Sequence, residues 1–208
     1  ICAARGPIQS VLLVSPVPLE ELPEYLRQSG QTVFLSQASA SSNALLKTLW
    51  RYAWGFAEPR WETMAPGLGA ATDRPFVEIG DLALRHYLTP PQGRHVIDLG
   101  QAWKDFTGLP FVFALWIARR GLGEKKRETL RRVAKALAGF KGELGEVIPG
   151  LAASSERPAW ISPEALRNYF QVVAYDLGPN EQASLLLFAH YCREQGLIKA
   201  VPELVWQD

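Results

Sequence analysis

The stretch DLGQAWKDFTGLPFVFALWIA, residues 98–118, constrains this chain more than any other. It opens with the apolar spacing of an amphipathic helix and turns on Thr107-Gly108-Leu109-Pro110. It then runs through eight apolar residues, 111–118, without a polar break. A run that is apolar on both alternating faces predicts a central strand covered on each side. A polar, glycine-hinged corner aimed into such a strand asks for a structure in which the corner itself has a use.

The flanking sequence supplies a sheet for that strand. Residues 9–15 and 32–36 read as short buried strands, with a helix between them over 19–29 that Gly30 closes. The second strand runs into a Ser-rich turn and then a helix bearing Leu45, Thr48, Leu49 and Tyr52, stopped at Gly55. Further strands are predicted over 60–64 and 76–79, an extended segment over 95–99, and helices over 82–87 and 101–106. Beyond the apolar run the chain is mostly helical. Residues 124–140 place Leu130, Val133, Ala134 and Leu137 on one side and Lys/Arg on the other. Ser162-Pro163 opens a helix over 164–175, and Asn180 caps a last one to Gln195. Strands alternating with helices predict an α/β protein with largely parallel sheets.

Composition narrows the classes of function. A formal net charge of +1 gives no field that would favour nucleic acid or an acidic membrane, and no apolar run approaches a membrane span of roughly 20 residues. Cys2 and Cys192 match no metal spacing and read as reduced thiols of a cytoplasmic protein, or as a single disulfide. His86, His95 and His190 share no metal spacing either; His190 falls beside Ala183, Leu186 and Leu187 and reads as a packed core residue. Glu124 and Glu128 interrupt the basic stripe of Lys125, Lys126, Arg127, Arg131, Arg132 and Lys135, which reads as a solvated helix face. The chain opens Ile1-Cys2-Ala3-Ala4-Arg5, with neither Met nor a leader pattern, and is expected to be a piece of a longer polypeptide.

Three corners carry candidate chemistry. Ser39, Ser41 and Ser42 lie where a strand enters a helix; they either cap it or present hydroxyls and free amides to a carboxylate or phosphate. Gly80-Asp81 follows a buried strand, at the edge of a sheet where open α/β folds bind ligands; Asp81 alternatively caps the helix that follows. Thr107-Gly108 offers a hydroxyl and bare amides at a chain reversal, or is simply a tight turn. No glycine-rich nucleotide loop and no nucleophile elbow is present.

The quoted stretch also carries a resemblance. Asp98-Leu99-Gly100-Gln101-Ala102-Trp103, followed by Thr107-Gly108-Leu109-Pro110-Phe111-Val112-Phe113-Ala114-Leu115-Trp116, closely resembles the signature of the chorismate dehydratase family of the futalosine route to menaquinone. Gly6-Pro7-Ile8-Gln9-Ser10, Pro18-Leu19, the Ser-rich helix start and Ile79-Gly80-Asp81-Leu82 match in the same order, so the resemblance covers essentially the whole chain. A sister family, the 1,4-dihydroxy-6-naphthoate synthases, shares part of the pattern, but Phe-Val-Phe-Ala-x-Trp favours the dehydratases. A non-catalytic carboxylate solute-binding protein is a further alternative.

The resemblance implies a two-lobed, type II periplasmic-binding-protein-like fold. Residues 1–13 would end lobe one and form the hinge, 14–110 would form lobe two, and 111–208 would return the chain to lobe one. The N-terminal part of lobe one is expected upstream of Ile1, because the family's Val-Ser-Tyr-Leu-Asn-like opening has no match here. It further implies a cofactor- and metal-independent hydro-lyase that turns chorismate into 3-[(1-carboxyvinyl)oxy]benzoate and water. Its substrate would be held by Ser41, Ser42, Gly80, Asp81, Thr107, Gly108 and Phe111. A homodimer is compatible with it. The family more often has an apolar or basic residue where this chain has Asn43.

Overall fold

A computed structural model describes residues 2–154 and 156–205. Two sheets organise it. The larger has the order β4-β3-β5-β2-β6, built from β2 (Val11–Ser15), β3 (Thr32–Ser36), β4 (Arg60–Met64), β5 (Phe76–Ile79) and β6 (His95–Asp98). The smaller has the order β7-β1-β8, from β1 (Cys2–Ala4), β7 (Phe111–Ala114) and β8 (Val173–Ala174). The helices are α1 (Leu22–Ser29), α2 (Ala40–Thr48), α3 (Gly80–Leu88), α4 (Leu99–Thr107), α5 (Glu124–Ala153), α6 (Pro163–Val172) and α7 (Pro179–Glu194).

The α/β class is as expected, but the sheets are mixed rather than largely parallel. β3 pairs with β4 and β5 in parallel, whereas β2 runs antiparallel to both β5 and β6. Four strands of the larger sheet therefore point one way with β2 reversed among them. The smaller sheet is antiparallel throughout.

The alternation of β2 sorts the core. Leu13 and Val11 face a large cluster with Trp50, Leu99, Trp103 and Phe111, while Leu12 and Val14 face a small one with Phe76 and Ala83. Trp103 is the keystone of the large cluster. Its ring meets Phe111, Phe188 and Phe106 edge-on, and its Nε1–H donates to the buried Ser184 hydroxyl at 2.9 Å. That bond satisfies the one polar atom a buried indole carries.

Several local expectations are corrected. β7 is an edge strand that stops at Ala114. Trp116 and Ile117, read as part of a covered central strand, are 77% and 87% exposed. Helix α5 extends well past Phe140, and its Val133 and Leu137 are exposed rather than packed. Helix α6 starts at the expected Ser162 cap, whose Oγ accepts from Ala165 N, but ends at Val172 because Val173–Ala174 pairs with β1. Helix α7 starts slightly earlier than Asn180 suggests. Gly178 caps it, Pro179 sits at its first position, and Glu181 reaches back to Gly178 N. His190 is exposed and pairs with Glu194 at 2.9 Å, because α7 turns Ser184, Phe188 and Cys192 inward instead. Both cysteines are free thiols. Burial pushes the Cys192 thiol up to about 11.

One carboxylate joins the two sheets. Residues 5–10 carry the chain from β1 to β2, and Gln9 has a left-handed φ of 65°. The N-cap of α4, Asp98, accepts from Ile8 N at 3.1 Å, Gln9 N at 2.6 Å and Gln101 N at 3.0 Å. Gly100 permits this approach: a Cβ there would lie 2.9 Å from Gly6 O and 3.2 Å from Ile8 N. Burial raises the Asp98 pKa above the ordinary carboxylate range, against the opposing pull of the backbone N–H donors.

Asp98→Ala strands backbone donors and is expected to cost about 3 kcal/mol, with Asp98→Asn losing less because its amide oxygen still accepts. Gly100→Ala is expected to cost about 1–3 kcal/mol by pushing the crossover off the helix. Denaturant unfolding measures both. The sign of the pH dependence follows from the raised pKa. The folded state holds this proton more tightly than the unfolded chain, so its contribution falls as pH rises from about 4 through the raised value. The stability gap between wild type and Asp98→Asn is expected to narrow over that window.

Candidate functional site

Because β3, β5 and β6 share a direction and β2 opposes them, their carboxyl ends and the start of β2 meet at one edge of the sheet. The chain leaves that edge at the Ser39–Ser42 turn, at Gly80-Asp81 and at Asp98, and enters it at Ser10. Such an edge collects free amides and helix N-termini, which suits an anionic ligand.

The serines divide their work. Ser39 is the cap of α2: its Oγ accepts from Ser42 N at 3.2 Å and donates to Ser42 Oγ at 2.8 Å. Ser42 is buried, its hydroxyl occupied by that bond. Ser41 is exposed on the first turn, its Oγ 3.5 Å from that of Ser39. Asn43 locks the end of β3 to α2, since its side chain accepts from Ser36 N at 3.0 Å and donates to Ser36 O at 2.8 Å.

Gly80 opens α3 with φ 66°, and its N–H donates to Ser10 O at 2.8 Å. No atom lies within 4 Å of where its Cβ would be, so the backbone conformation, not space, calls for glycine. Asp81 follows in the first turn, exposed and making no cap hydrogen bond.

The Thr107-Gly108 corner is placed differently. It closes the far end of α4, about 13 Å along the helix from Asp98. Thr107 Oγ1 donates to Trp103 O at 2.8 Å and accepts from Leu109 N at 3.1 Å, while Gly108 is the left-handed C-cap. Phe111 is 1% exposed, enclosed by Trp103, Phe113 and Phe188, so its ring fills core rather than walling an open cleft.

Beside Asp81 lies a crevice of about 330 Å³ between α3 and the segment running from the end of α5 into α6. Arg157, Trp160, Ile161, Tyr169 and Phe170 line its other side. Tyr169 closes the inner end, its hydroxyl donating to Ser10 Oγ at 3.1 Å, which in turn donates to Ile8 O at 3.4 Å. Burial raises the Tyr169 pKa, so the phenol keeps the proton that it donates to Ser10. Sequence reasoning missed Arg157 and Tyr169, whose local sequence carries no motif, and gave no role to Ser10, although the Gly6–Ser10 match includes it. It quoted Asp98 without a role, although an Asp three residues before Gln101, with glycine between, is a cap signal. Among the described residues, no three His, Cys, Asp or Glu side chains cluster as metal ligands, and no helix is long and apolar enough to cross a membrane.

A family model described as menaquinone biosynthesis matches residues 1–194. The chain belongs to that family. A chorismate dehydratase from Thermus thermophilus is 33% identical over 173 residues, covering 76% of this chain. The chain in turn spans 61% of that relative's length. Within the family match fall every element through α7 and all of the sheet-edge residues described above.

The division of labour among the serines can be tested by stability alone. Ser39→Ala is expected to cost about 1 kcal/mol in thermal or denaturant unfolding, as a lost N-cap does. Ser41→Ala is expected to stay within about 0.5 kcal/mol of wild type, since its hydroxyl meets Ser39 Oγ at a long, exposed 3.5 Å.

Proposed function

We propose that the intact protein is a chorismate dehydratase, converting chorismate to 3-[(1-carboxyvinyl)oxy]benzoate and water in menaquinone biosynthesis. The observation that carries this reading is family membership over nearly the whole chain, joined to the 33% identity with a chorismate dehydratase. The Asp98–Trp116 signature favours the dehydratase over the naphthoate synthase. The sheet edge with its crevice supplies what the reaction needs: a place to fix a small anion with polar groups around it.

The architecture in this reading is two-lobed and periplasmic-binding-protein-like. The larger sheet belongs to lobe two. The smaller sheet and the C-terminal helices belong to lobe one, with residues 5–10 as a crossing segment. The enzyme acts in the cytoplasm without a cofactor. The elimination breaks a ring C–H and the neighbouring C–OH bond. The C–H electron pair becomes a ring double bond, and hydroxide leaves with a proton as water. Aromatisation drives the step, so the protein has only to hold one pose and carry a proton.

Ser41 and the amides of the first turn of α2 bind substrate carboxylate, with Ser42 holding that turn in shape. Gly80 lets the substrate approach the backbone, and Asp81 carries or orients the proton. Thr107, Gly108 and Phe111 act from behind, fixing α4 and the core against which the edge is built.

Incubating the full-length protein with chorismate and following the product by mass spectrometry and ultraviolet absorbance tests this reading. Product is expected with wild type, and turnover is expected to drop about 10²-fold in Asp81→Asn. A folded protein that binds chorismate and forms no product would instead be a binding protein.

A further inference from the structure

Four side chains carry a buried polar atom with no hydrogen-bond partner among the described residues: Ser29, Arg74, Arg94 and Arg157. Of these, Arg157 lines the crevice beside Asp81. Its Nη1 donates to Pro158 O at 3.2 Å and to Ile161 O, which fixes the guanidinium plane against its own loop. Its Nε–H is left buried without an acceptor. A donor on a permanent cation, removed from water and unpaired, is costly unless something supplies an oxygen.

The surroundings say what kind of oxygen. Trp160, Ile161 and Phe170 give the crevice apolar and aromatic walls, and Tyr169, its hydroxyl donated to Ser10 Oγ, adds a further ring. A flat ring fits between such walls, and a carboxylate on that ring would meet the guanidinium edge. Asp81 and Glu156 stand on the same rim. Arg157 is the one cation among the described residues lining the crevice, so it sets where a carboxylate can sit, and the two rim carboxylates disfavour a second one beside it.

We infer that Arg157 is the anchor for a single ring carboxylate of the substrate, in a crevice closed by Trp160 and Tyr169, with Glu156 setting the limit of one. The assignment rests on the dehydratase reading for the identity of the substrate, but not for the existence of the carboxylate site. In that site the far carboxylate of the substrate points away from Arg157, toward the α2 side of the sheet edge.

The test uses the full-length protein, with chorismate turnover and calorimetric binding of benzoate as separate readouts. Arg157→Ala is expected to raise KM for chorismate at least tenfold with kcat within about threefold of wild type, and to abolish benzoate binding. Arg157→Lys, which keeps the charge but not the fork, falls between. Glu156→Gln is expected to lower KM by about threefold. If Arg157→Ala does not fold, Arg157→Lys and Glu156→Gln decide. Unchanged KM and benzoate affinity in the Arg157 variants would overturn the assignment. Benzoate binding that depends on Arg157 in a protein that forms no product would uphold the carboxylate site while removing the dehydratase reading.

Discussion

The Asp98 carboxylate is the joint on which the rest depends. It holds two successive amides of the segment between the sheets and the first turn of α4 at once. Ionised groups that accept several backbone N–H bonds are worth more than neutral ones, yet burial works against the charge here. The balance explains the adjoining residues. Leu99 enters the core, Gly100 leaves room for Gly6 and Ile8, and Trp103 locks the helix one turn later. Asp-Leu-Gly…Trp is thus first a piece of joinery and only through that a mark of function.

The same joint decides where chemistry can sit. By fixing the path into β2, it brings Ser10 to the edge where β3 and β5 finish. Gly80 and Tyr169 both find Ser10 there, one through its carbonyl and the other through its hydroxyl. A reversed strand inside an otherwise same-direction sheet is what lets an incoming segment share an edge with two outgoing ones. The helix that supplies Tyr169 comes from far along the chain, so the crevice beside Asp81 exists only once α6 has docked.

Much of this was legible from residue order. The Ser162-Pro163 start, the Gly30 and Gly55 stops and the strands over 32–36, 60–64 and 76–79 follow from cap and turn chemistry that acts locally. The errors share a cause. An unbroken apolar run such as 111–118 looks the same whether it is covered on both faces or lies at an edge, and here only its first half pairs. The inward side of α7 is set by where Trp103 waits for Ser184, which no periodicity reports. Among the candidate residues, the Ser-rich turn and Gly80-Asp81 stood out in the sequence, because strand-to-helix corners have signatures. Arg157 and Tyr169 did not, since their meaning comes from what they face across the sheet edge. The Thr107-Gly108 corner had the right chemistry for a ligand but spends it on ending a helix.

The smaller sheet rests on very little strand. In β1, Ala3 lies opposite both Val112 and Ala174, and Ala4 opposite both Phe111 and Val173. A handful of backbone bonds near the beginning of the chain therefore tie together its middle and its last quarter. Closing such wide loops is entropically slow and is rewarded only after the intervening parts have taken shape. The three-stranded sheet is thus a long-range seam, made only where three distant parts of the chain meet.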